Sequence, residues 1–416
     1  MILIAQNRKL DMLDVLSHPL GPLPWSLAGT DGVMKKTNKA VLAKHLESKV
    51  SPAEVIPGQY ATVIDAMAVI QKVSGENRTF DELSDLILKQ MLHHGQTSSR
   101  IDVVFDVYRD QSIKTAEREN RGSHEGVVFS QIRPGHKIKN WRRLLACSES
   151  KDNFTKFLAE SWKDEKKRQT LGDKVLLVTS GDKCFRLTKN DWQIVHDLTS
   201  NHEEADTRIL LHAKHAAENY PSVVCVTDDT DVFVICLGFS KFINCKLFIR
   251  RGPKSRVRLV DISKLAAALG DKICSALLGL HSWTGCDTVS ALAGQGKLKA
   301  LKLVSQNEKY RTAFSKLGAK WELSNEVLDI IEEFTCQLYF RQTKLKKVNE
   351  LRYEMFRSRK GDVESGQLPP CQNTLVQHTL RANYQSAIWR RCLENWQDIP
   401  DPNQGHGWKT SETKIW

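Results

Sequence analysis

Three acidic residues interrupt an apolar stretch, VVCVTDDTDVFVI, in the middle of the chain: Asp228, Asp229 and Asp231. Carboxylates crowded into so few positions repel one another, and a bound cation relieves that repulsion most directly. Asp229 and Asp231 are therefore candidate metal ligands. The apolar residues on both sides predict a strand, a turn and a second strand.

Two further aspartates stand at the ends of predicted strands. Asp65 closes the run ATVID, and Asp106 closes the run IDVVFD. Open α/β sheets bind their ligands outside the carboxyl ends of the strands, so both positions favour a functional role. An aspartate at such a place often caps a helix instead, and for Asp65 that structural interpretation stays open.

The segment NHEEADTRILLHAKHAAE places Glu204 and Asp206 in the first turn of a predicted helix. Its apolar stripe runs through Ile209, Leu210 and Ala213, which predicts one buried face. Acidic residues at the start of a helix also interact favourably with the helix dipole. A structural role and a ligand role are thus both compatible with this pattern.

A glycine-containing segment, HSWTGCDTVSALAGQGKLKALKLV, holds Asp287 and, further on, the turn Gly294-Gln295-Gly296 before Lys297 and Lys299. Glycines at a helix start let backbone N–H groups approach a phosphate, and the lysines add positive charge there. The segment therefore predicts contact with a nucleic-acid backbone. A plain helix-loop-helix packing element would explain it as well.

The elements that must position these residues alternate between β-branched runs and helical stretches from Tyr60 onward. Such alternation predicts an α/β fold with a mainly parallel sheet flanked by helices. The chain divides on this basis into an N-terminal extension (1–57), a main domain (58–305) with a helical insertion (106–173) and a helix-turn-helix unit (281–304), and a basic helical C-terminal extension (306–416).

Composition narrows the partners. Lys and Arg exceed Asp and Glu by 61 to 49, which gives a net charge of +12 and favours phosphate backbones or anionic membrane surfaces. The 10 cysteines form no C-x-x-C pair, which predicts small buried side chains in a reducing compartment. No stretch is apolar enough to predict a membrane helix. We expect an intracellular protein, with a nuclear location favoured by RRGPKSR and KNWRR.

Taken in order, the acidic segments resemble the flap-endonuclease family within the wider PIN-like nuclease group. VIDAMAVIQK resembles the first strand of that family, VVFDVYRD the second, EEADTRILLHA the E-A-E helix, TDDTDVFVI the D-x-D turn and GCDT the Gly-x-Asp. The following SALAGQGKLKA is similar to the helix-two-turn-helix that grips DNA in the family. The resemblance spans the main domain and implies a PIN-like, Rossmann-like sheet.

The resemblance also implies roles for individual residues. Two Mg²⁺ or Mn²⁺ ions would be held by seven carboxylates, and oxygen ligands are the ones such ions prefer. The implied ligands are Asp65, Asp106, Glu204, Asp206, Asp229, Asp231 and Asp287. In the family, a basic pair on the helix after the second aspartate reaches the scissile phosphate. Here Lys114 and Arg121 are seven residues apart in SIKTAERENRG, on one predicted helix face, with Arg118 nearby.

The resemblance thus implies a metal-dependent nuclease that cuts structured or single-stranded DNA by a two-metal route. Two alternatives remain: a catalytically silent nucleic-acid-binding or scaffold protein, with KLKKVNELRYEMFRSRKG as its main contact, and a PIN-like ribonuclease acting on RNA. The chain departs from the family where Asp206 replaces the second acid of E-A-E, and where Asp228 stands directly before the D-x-D.

Overall fold

The computed structural model describes residues 10–109, 112–114, 131–358, 365–411 and 414–415. The chain forms two compact units. Unit 1 comprises Met1–His45, Gly270–Arg390 and Ile399–Trp416, and unit 2 comprises Leu46–Leu269 and Arg391–Asp398. These divisions do not coincide with the boundaries near residues 57 and 305 that the sequence suggests. The sequence pattern places the segment 281–304 in the main domain, but in the structure it belongs to unit 1.

Unit 2 contains an eight-stranded mixed sheet with the order β5-β4-β3-β2-β1-β6-β7-β8. The strands are β1 (Tyr60–Asp65), β2 (Arg100–Val104), β3 (Val175–Ser180), β4 (Lys183–Leu187), β5 (Trp192–Ile194), β6 (Ser222–Val226), β7 (Lys246–Arg251) and β8 (Arg258–Asp261). The central five, β3-β2-β1-β6-β7, are parallel, and antiparallel strands extend both edges. The predicted α/β fold with a mainly parallel sheet is confirmed at this level.

Sixteen α-helices lie in the part of the chain that the structure describes. They are α1 (Met12–Leu16), α2 (Ala40–Glu47), α3 (Ala66–Ile70), α4 (Phe80–His94), α5 (Trp141–Ala146), α6 (Ser148–Ser161), α7 (Glu165–Gln169), α8 (Ala205–Ala216), α9 (Thr230–Phe239), α10 (Ile262–Leu269), α11 (Asp271–Trp283), α12 (Lys297–Gln306), α13 (Glu308–Lys316), α14 (Asn325–Tyr339), α15 (Val348–Ser358) and α16 (Gln372–Arg390). Two short strands, β9 (Thr410–Ser411) and β10 (Lys414–Ile415), pair in unit 1.

The middle of the sheet determines where a ligand can bind in unit 2. From β1 the chain passes to β2 on one side, and it later returns as β6 on the other side. The crevice outside the carboxyl ends of β1 and β6 is therefore the place where a doubly wound sheet accepts ligands. Strand β1 is buried along its centre, with Val63 and Ile64 inaccessible to solvent. This burial stabilises the strand that carries Asp65 at its carboxyl end.

The segment after β6 is a helix and not the predicted second strand. Asp229 caps α9 by accepting a hydrogen bond from the backbone N of Asp231 at 2.8 Å. Every residue from Val232 to Leu237 is buried. A helix that is apolar on all sides has no polar stripe, so its sequence has no helical period and its β-branched residues suggest a strand. That prediction was wrong for this reason.

The helical insertion completes the core on one face of the sheet. Its described part contains α5, α6 and α7, and Phe154 and Leu158 of α6 are fully buried. Phe154 packs against Trp141 of α5, with ring centroids 5.3 Å apart, and against Phe80 of α4 at 6.0 Å. The insertion is thus more than a solvated elaboration, because its apolar stripe covers the sheet.

Unit 1 is helical, and its basic segment is largely engaged in internal contacts. Arg352 of α15 is buried and donates hydrogen bonds to the carbonyl oxygens of Leu16 at 2.7 Å and His18 at 3.1 Å. Lys347 lies 2.8 Å from Asp329 and 3.0 Å from Glu332. None of the described helices is long and apolar enough to cross a membrane.

Candidate metal centre

Three carboxylates converge at the carboxyl edge of the sheet in unit 2. Asp206, Asp229 and Asp231 each offer an oxygen, and these oxygens lie within 4.8 Å of one another. Asp206 and Asp231 are buried, in the first turns of α8 and α9, and Asp229 caps α9. Two helix N-termini thus point toward the same place, where their dipoles favour negative charge.

Asp65 and Asp106 border this cluster from the strand ends. Asp65 accepts hydrogen bonds from the backbone N of Ala68 and from the hydroxyl of Thr227, both at 3.2 Å. Asp106, which follows β2, accepts one from the backbone N of Ala205 at 2.8 Å. Burial raises the pKa of Asp65 to about 7, and the nearby charges of Asp106 and Asp229 add to the effect.

Glu204 contributes a carboxylate oxygen that lacks a hydrogen bond. Its side chain precedes α8 and is only 8% exposed, and Lys114 Nζ lies 3.2 Å from Oε1. The buried Oε2 has no hydrogen-bond partner among the described residues. Leaving a buried charged oxygen unsatisfied is costly, and a cation at this point would satisfy it.

The electrostatics of the cluster favour a bound cation. The pKa of Asp206 is well above its usual range, first because the group is buried and then because of the charge of Asp229; Lys114 opposes the shift, and Glu204 and Asp231 reinforce it. Without a cation, Asp206 therefore holds its proton more tightly than an isolated carboxylate does. The donors gathered here are carboxylates, which suits Mg²⁺, Mn²⁺ or Ca²⁺.

Asp228 takes a different direction from its two acidic neighbours. Lys72 Nζ lies 2.8 Å from one of its oxygens, and the backbone N of Gly252 donates to the other at 2.7 Å. Asp228 therefore connects the loop between β6 and α9 to the turn after β7. The cluster is formed without it.

The seventh predicted ligand, Asp287, lies in unit 1. There Lys39 Nζ is 2.7 Å from its carboxylate, and Lys36 Nζ donates to its backbone carbonyl at 2.8 Å. Its role as a metal ligand stays a prediction.

The predicted phosphate-binding turn also lies in unit 1. Gly294 has a positive φ of 68°, and Gly296 precedes α12 at the cap position. Lys297 is buried and donates to the carbonyl oxygen of His281 at 2.8 Å and to the hydroxyl of Thr284 at 2.9 Å. The ammonium of Lys297 is therefore engaged inside unit 1, which contradicts the predicted phosphate contact of this residue. Lys299 donates to the side chain of Gln295 at 2.8 Å.

The predicted basic pair is described only in part. Lys114 lies beside the cluster through its ion pair with Glu204. Arg121 and its neighbour Arg118 lie outside the described residues.

Two features of the site escaped the sequence analysis. The hydroxyl of Thr227 donates to Asp65 and accepts from the backbone N of Asp229 at 3.0 Å, so it joins β1 to the acidic loop. Asp102, inside β2, accepts hydrogen bonds from Arg100 at 2.8 Å and from His212 of α8 at 2.7 Å. A charged residue in the middle of the apolar run IDVVFD was the available signal for this buried network.

Comparison with known proteins adds no relative: no protein-family model matches the chain, and no curated protein matches it.

Proposed function

We propose that unit 2 is a divalent-metal nuclease that hydrolyses phosphodiester bonds. The proposal depends on the convergence of Asp206, Asp229 and Asp231 at the carboxyl edge of the sheet, beside a buried oxygen of Glu204 that has no hydrogen-bond partner. The parallel core β3-β2-β1-β6-β7 is compatible with the PIN-like fold that the order of the acidic segments implies. DNA is the favoured substrate, and RNA is the alternative.

Each residue of the centre has a distinct task in this proposal. Asp206, Asp229 and Asp231 would hold a first ion, and Asp65, Asp106 and Glu204 would contribute ligands to a second one. Two Mg²⁺ or Mn²⁺ ions bound there would supply an activated water and would stabilise charge on the attacking and leaving oxygens. Lys114, at 3.2 Å from Glu204, is placed to balance the negative charge that develops on a phosphate.

One observation favours the alternative of a silent nucleic-acid-binding protein. A site that had lost its metal would pair its acids with lysine or arginine, and Lys114 does pair with Glu204. The central three carboxylates nevertheless lie side by side with raised proton affinity at Asp206, which is costly in a protein that binds no cation. We therefore favour the nuclease.

The experiment that tests this function compares wild type with Asp229→Asn. Asparagine still accepts the capping hydrogen bond of α9, so the substitution removes charge and spares the helix. Labelled flap, hairpin and single-stranded DNA and single-stranded RNA are incubated with Mg²⁺, Mn²⁺ or EDTA. We expect metal-dependent cleavage by wild type and a loss of about a hundredfold or more in the variant.

Asp261→Asn is the matched control. Asp261 is also a buried aspartate that ends a strand and caps a helix, through the backbone N of Lys264 at 2.8 Å. Because β8 runs antiparallel to β7, Asp261 pairs with Phe248 in the middle of β7, on the last strand of the sheet and away from the carboxyl ends of β1 and β6. Its variant should cut like wild type. Equal cutting by Asp229→Asn and wild type would refute the metal assignment, and binding without any cutting would support the silent alternative.

A further inference from the structure

A groove lies beside the metal centre in unit 2. It is a cavity of about 340 Å³ between α3 and the end of α4 on one side and the ends of β6 and β7 on the other. Ala68, Val69, Val226 and Val257 give it apolar walls. Neither the seven implied ligands nor the predicted basic pair includes any residue of this groove.

Thr227 joins the groove to the metal centre. It lines the groove, and its hydroxyl donates to the carboxylate of Asp65 at 3.2 Å. Its backbone N donates to the carbonyl oxygen of Arg250, which also lines the groove, at 3.3 Å. The groove is therefore separated from the carboxylate of Asp65 by one side chain, that of Thr227.

The groove carries positive charge that its own surroundings do not neutralise. Arg250 donates to the carbonyl oxygen of His94 at 2.8 Å, and no carboxylate among the described residues lies within salt-bridge distance of it. Lys72 pairs with Asp228, but the two side chains are 64% and 46% exposed, so little energy holds that pair together. By contrast, Arg251 is neutralised by Glu47 at 2.9 Å.

The size and chemistry of the groove select its occupant. Its volume lies at the lower end of the range for small-molecule sites, which suits one nucleotide and excludes a duplex. The apolar walls can cover the face of a base, and a guanidinium such as Arg250 binds phosphate with two parallel hydrogen bonds. A base reaches such a cleft only when it is unpaired.

We propose that this groove holds one unpaired nucleotide of the substrate strand, next to the phosphodiester that is cut at the metal centre. The proposal rests on the nuclease function and adds to it a preference for single-stranded substrate at that position. The base lies against Val69, Val226 and Val257, and the phosphate binds Arg250.

The test measures binding in EDTA, where no cleavage occurs. A fluorescent single-stranded DNA of about ten nucleotides and a blunt duplex of the same sequence are titrated with the full chain. Arg250→Ala should weaken single-strand binding about tenfold and duplex binding by less than about twofold. Arg186→Ala, on β4 of the same sheet and outside the groove, should change neither affinity.

Two further variants keep the test decisive if Arg250→Ala does not fold. Arg250→Lys retains the charge but not the two parallel hydrogen bonds, so its single-strand affinity should lie between those of wild type and Arg250→Ala. Val257→Trp narrows the groove at a side chain that is 53% exposed, so the fold tolerates it, and it should lose single-strand binding. Equal losses on single strand and duplex, or wild-type binding by the folded Arg250→Ala or Val257→Trp variant, would overturn the proposal.

This outcome is separate from that of the nuclease test. If wild type cuts but its preference for single strands does not depend on Arg250, the groove proposal fails and the nuclease stands. If nothing is cut while binding depends on Arg250, the nuclease fails and the nucleotide site remains.

Discussion

At the residue scale, several carboxylates of the proposed metal centre also have a structural role. Asp65 accepts a hydrogen bond at the start of α3, and Asp229 does so at the start of α9. Asp106 accepts one from Ala205 at the start of α8. A cap uses one lone pair of a carboxylate, so the capping role does not preclude the proposed ligand role, although the second oxygen of Asp65 also accepts a hydrogen bond from Thr227.

The raised pKa of Asp65 predicts how stability depends on pH. The carboxyl has a pKa of about 7 in the folded protein against 3.8 in the unfolded chain, so between these values the folded state binds more protons. Its contribution to stability therefore falls as the pH rises through this window. Asp65→Asn keeps the cap and cannot ionise. In EDTA at pH 8, we expect its melting temperature to exceed that of wild type by about 2–4 °C.

Melting curves at several pH values check this prediction. The difference between variant and wild type should shrink as the pH falls toward about 3, below both pKa values, where the wild-type carboxyl is neutral in the folded state and mostly neutral in the unfolded state. Added Mn²⁺ should stabilise wild type more than the variant, since the ion binds the ionised form. A constant difference across the pH range would show that Asp65 titrates normally.

Sequence reasoning located the strand-end acids but not their neighbours. Asp65 and Asp106 follow apolar runs whose β-branched composition indicates strands, so their place at the sheet edge could be predicted. The cap role of Asp229 could not, because it depends on α9 being a helix. The role of Thr227 depends on a partner, Asp65, that lies 162 positions away in the sequence, and no local pattern records such a contact.

At the element scale, a buried ionic network fixes α8, which carries Asp206, on β2, which leads to Asp106. Asp102 is inaccessible to solvent and accepts hydrogen bonds from Arg100 and from His212 of α8. Although burial alone would raise the pKa of Asp102, the charge and hydrogen bonds of Arg100 and the hydrogen bond of His212 hold it well below its usual range. The network therefore fixes the position of α8 along β2.

Removing the charge of Asp102 should destabilise unit 2. We expect Asp102→Asn to lower the free energy of unfolding by about 3–5 kcal/mol, because Arg100 is left as a buried charge without its partner. Urea denaturation measures the change. Asp85→Asn is the control: this exposed aspartate of α4 pairs with Lys167 at 3.0 Å, and its loss should cost less than about 0.5 kcal/mol. Equal effects of the two variants would contradict the role of the network.

For the helices too, the local sequence pattern predicts some features, and contacts between distant residues determine the others. The pattern of α8 was predictable because its first turn is acidic and its apolar residues repeat at helical spacing. For α9 the period is absent, since every residue from Val232 to Leu237 is apolar, whereas α8 shows the period although Ala205 to Ala213 are all buried. The reason that α8 must sit on β2 is a contact between Asp102 and His212, which are 110 positions apart in the sequence.

At the scale of the whole molecule, the net charge of +12 does not identify a binding surface by itself. Sequence composition alone pointed to the basic C-terminal segment as a nucleic-acid contact. In the structure, Lys347 pairs with Asp329 and Glu332, and Arg352 donates to backbone carbonyls inside unit 1. Charge that is already engaged in this way attracts phosphate less than the cation of Arg250 does.

The salt dependence of binding distinguishes the two surfaces. Affinity for nucleic acid falls as the salt concentration rises. Removing a cationic side chain that contacts a phosphate makes the slope of log affinity against log salt concentration less steep by about 1. In EDTA with single-stranded DNA, we expect Arg250→Ala to make the slope less steep by that amount. Lys346→Ala, which removes an exposed cation 3.8 Å from Glu333, should leave the slope unchanged. The reverse result would place the nucleic acid on the basic segment of unit 1, as the silent scaffold alternative requires, because counterion release reports only the cations that bind phosphate.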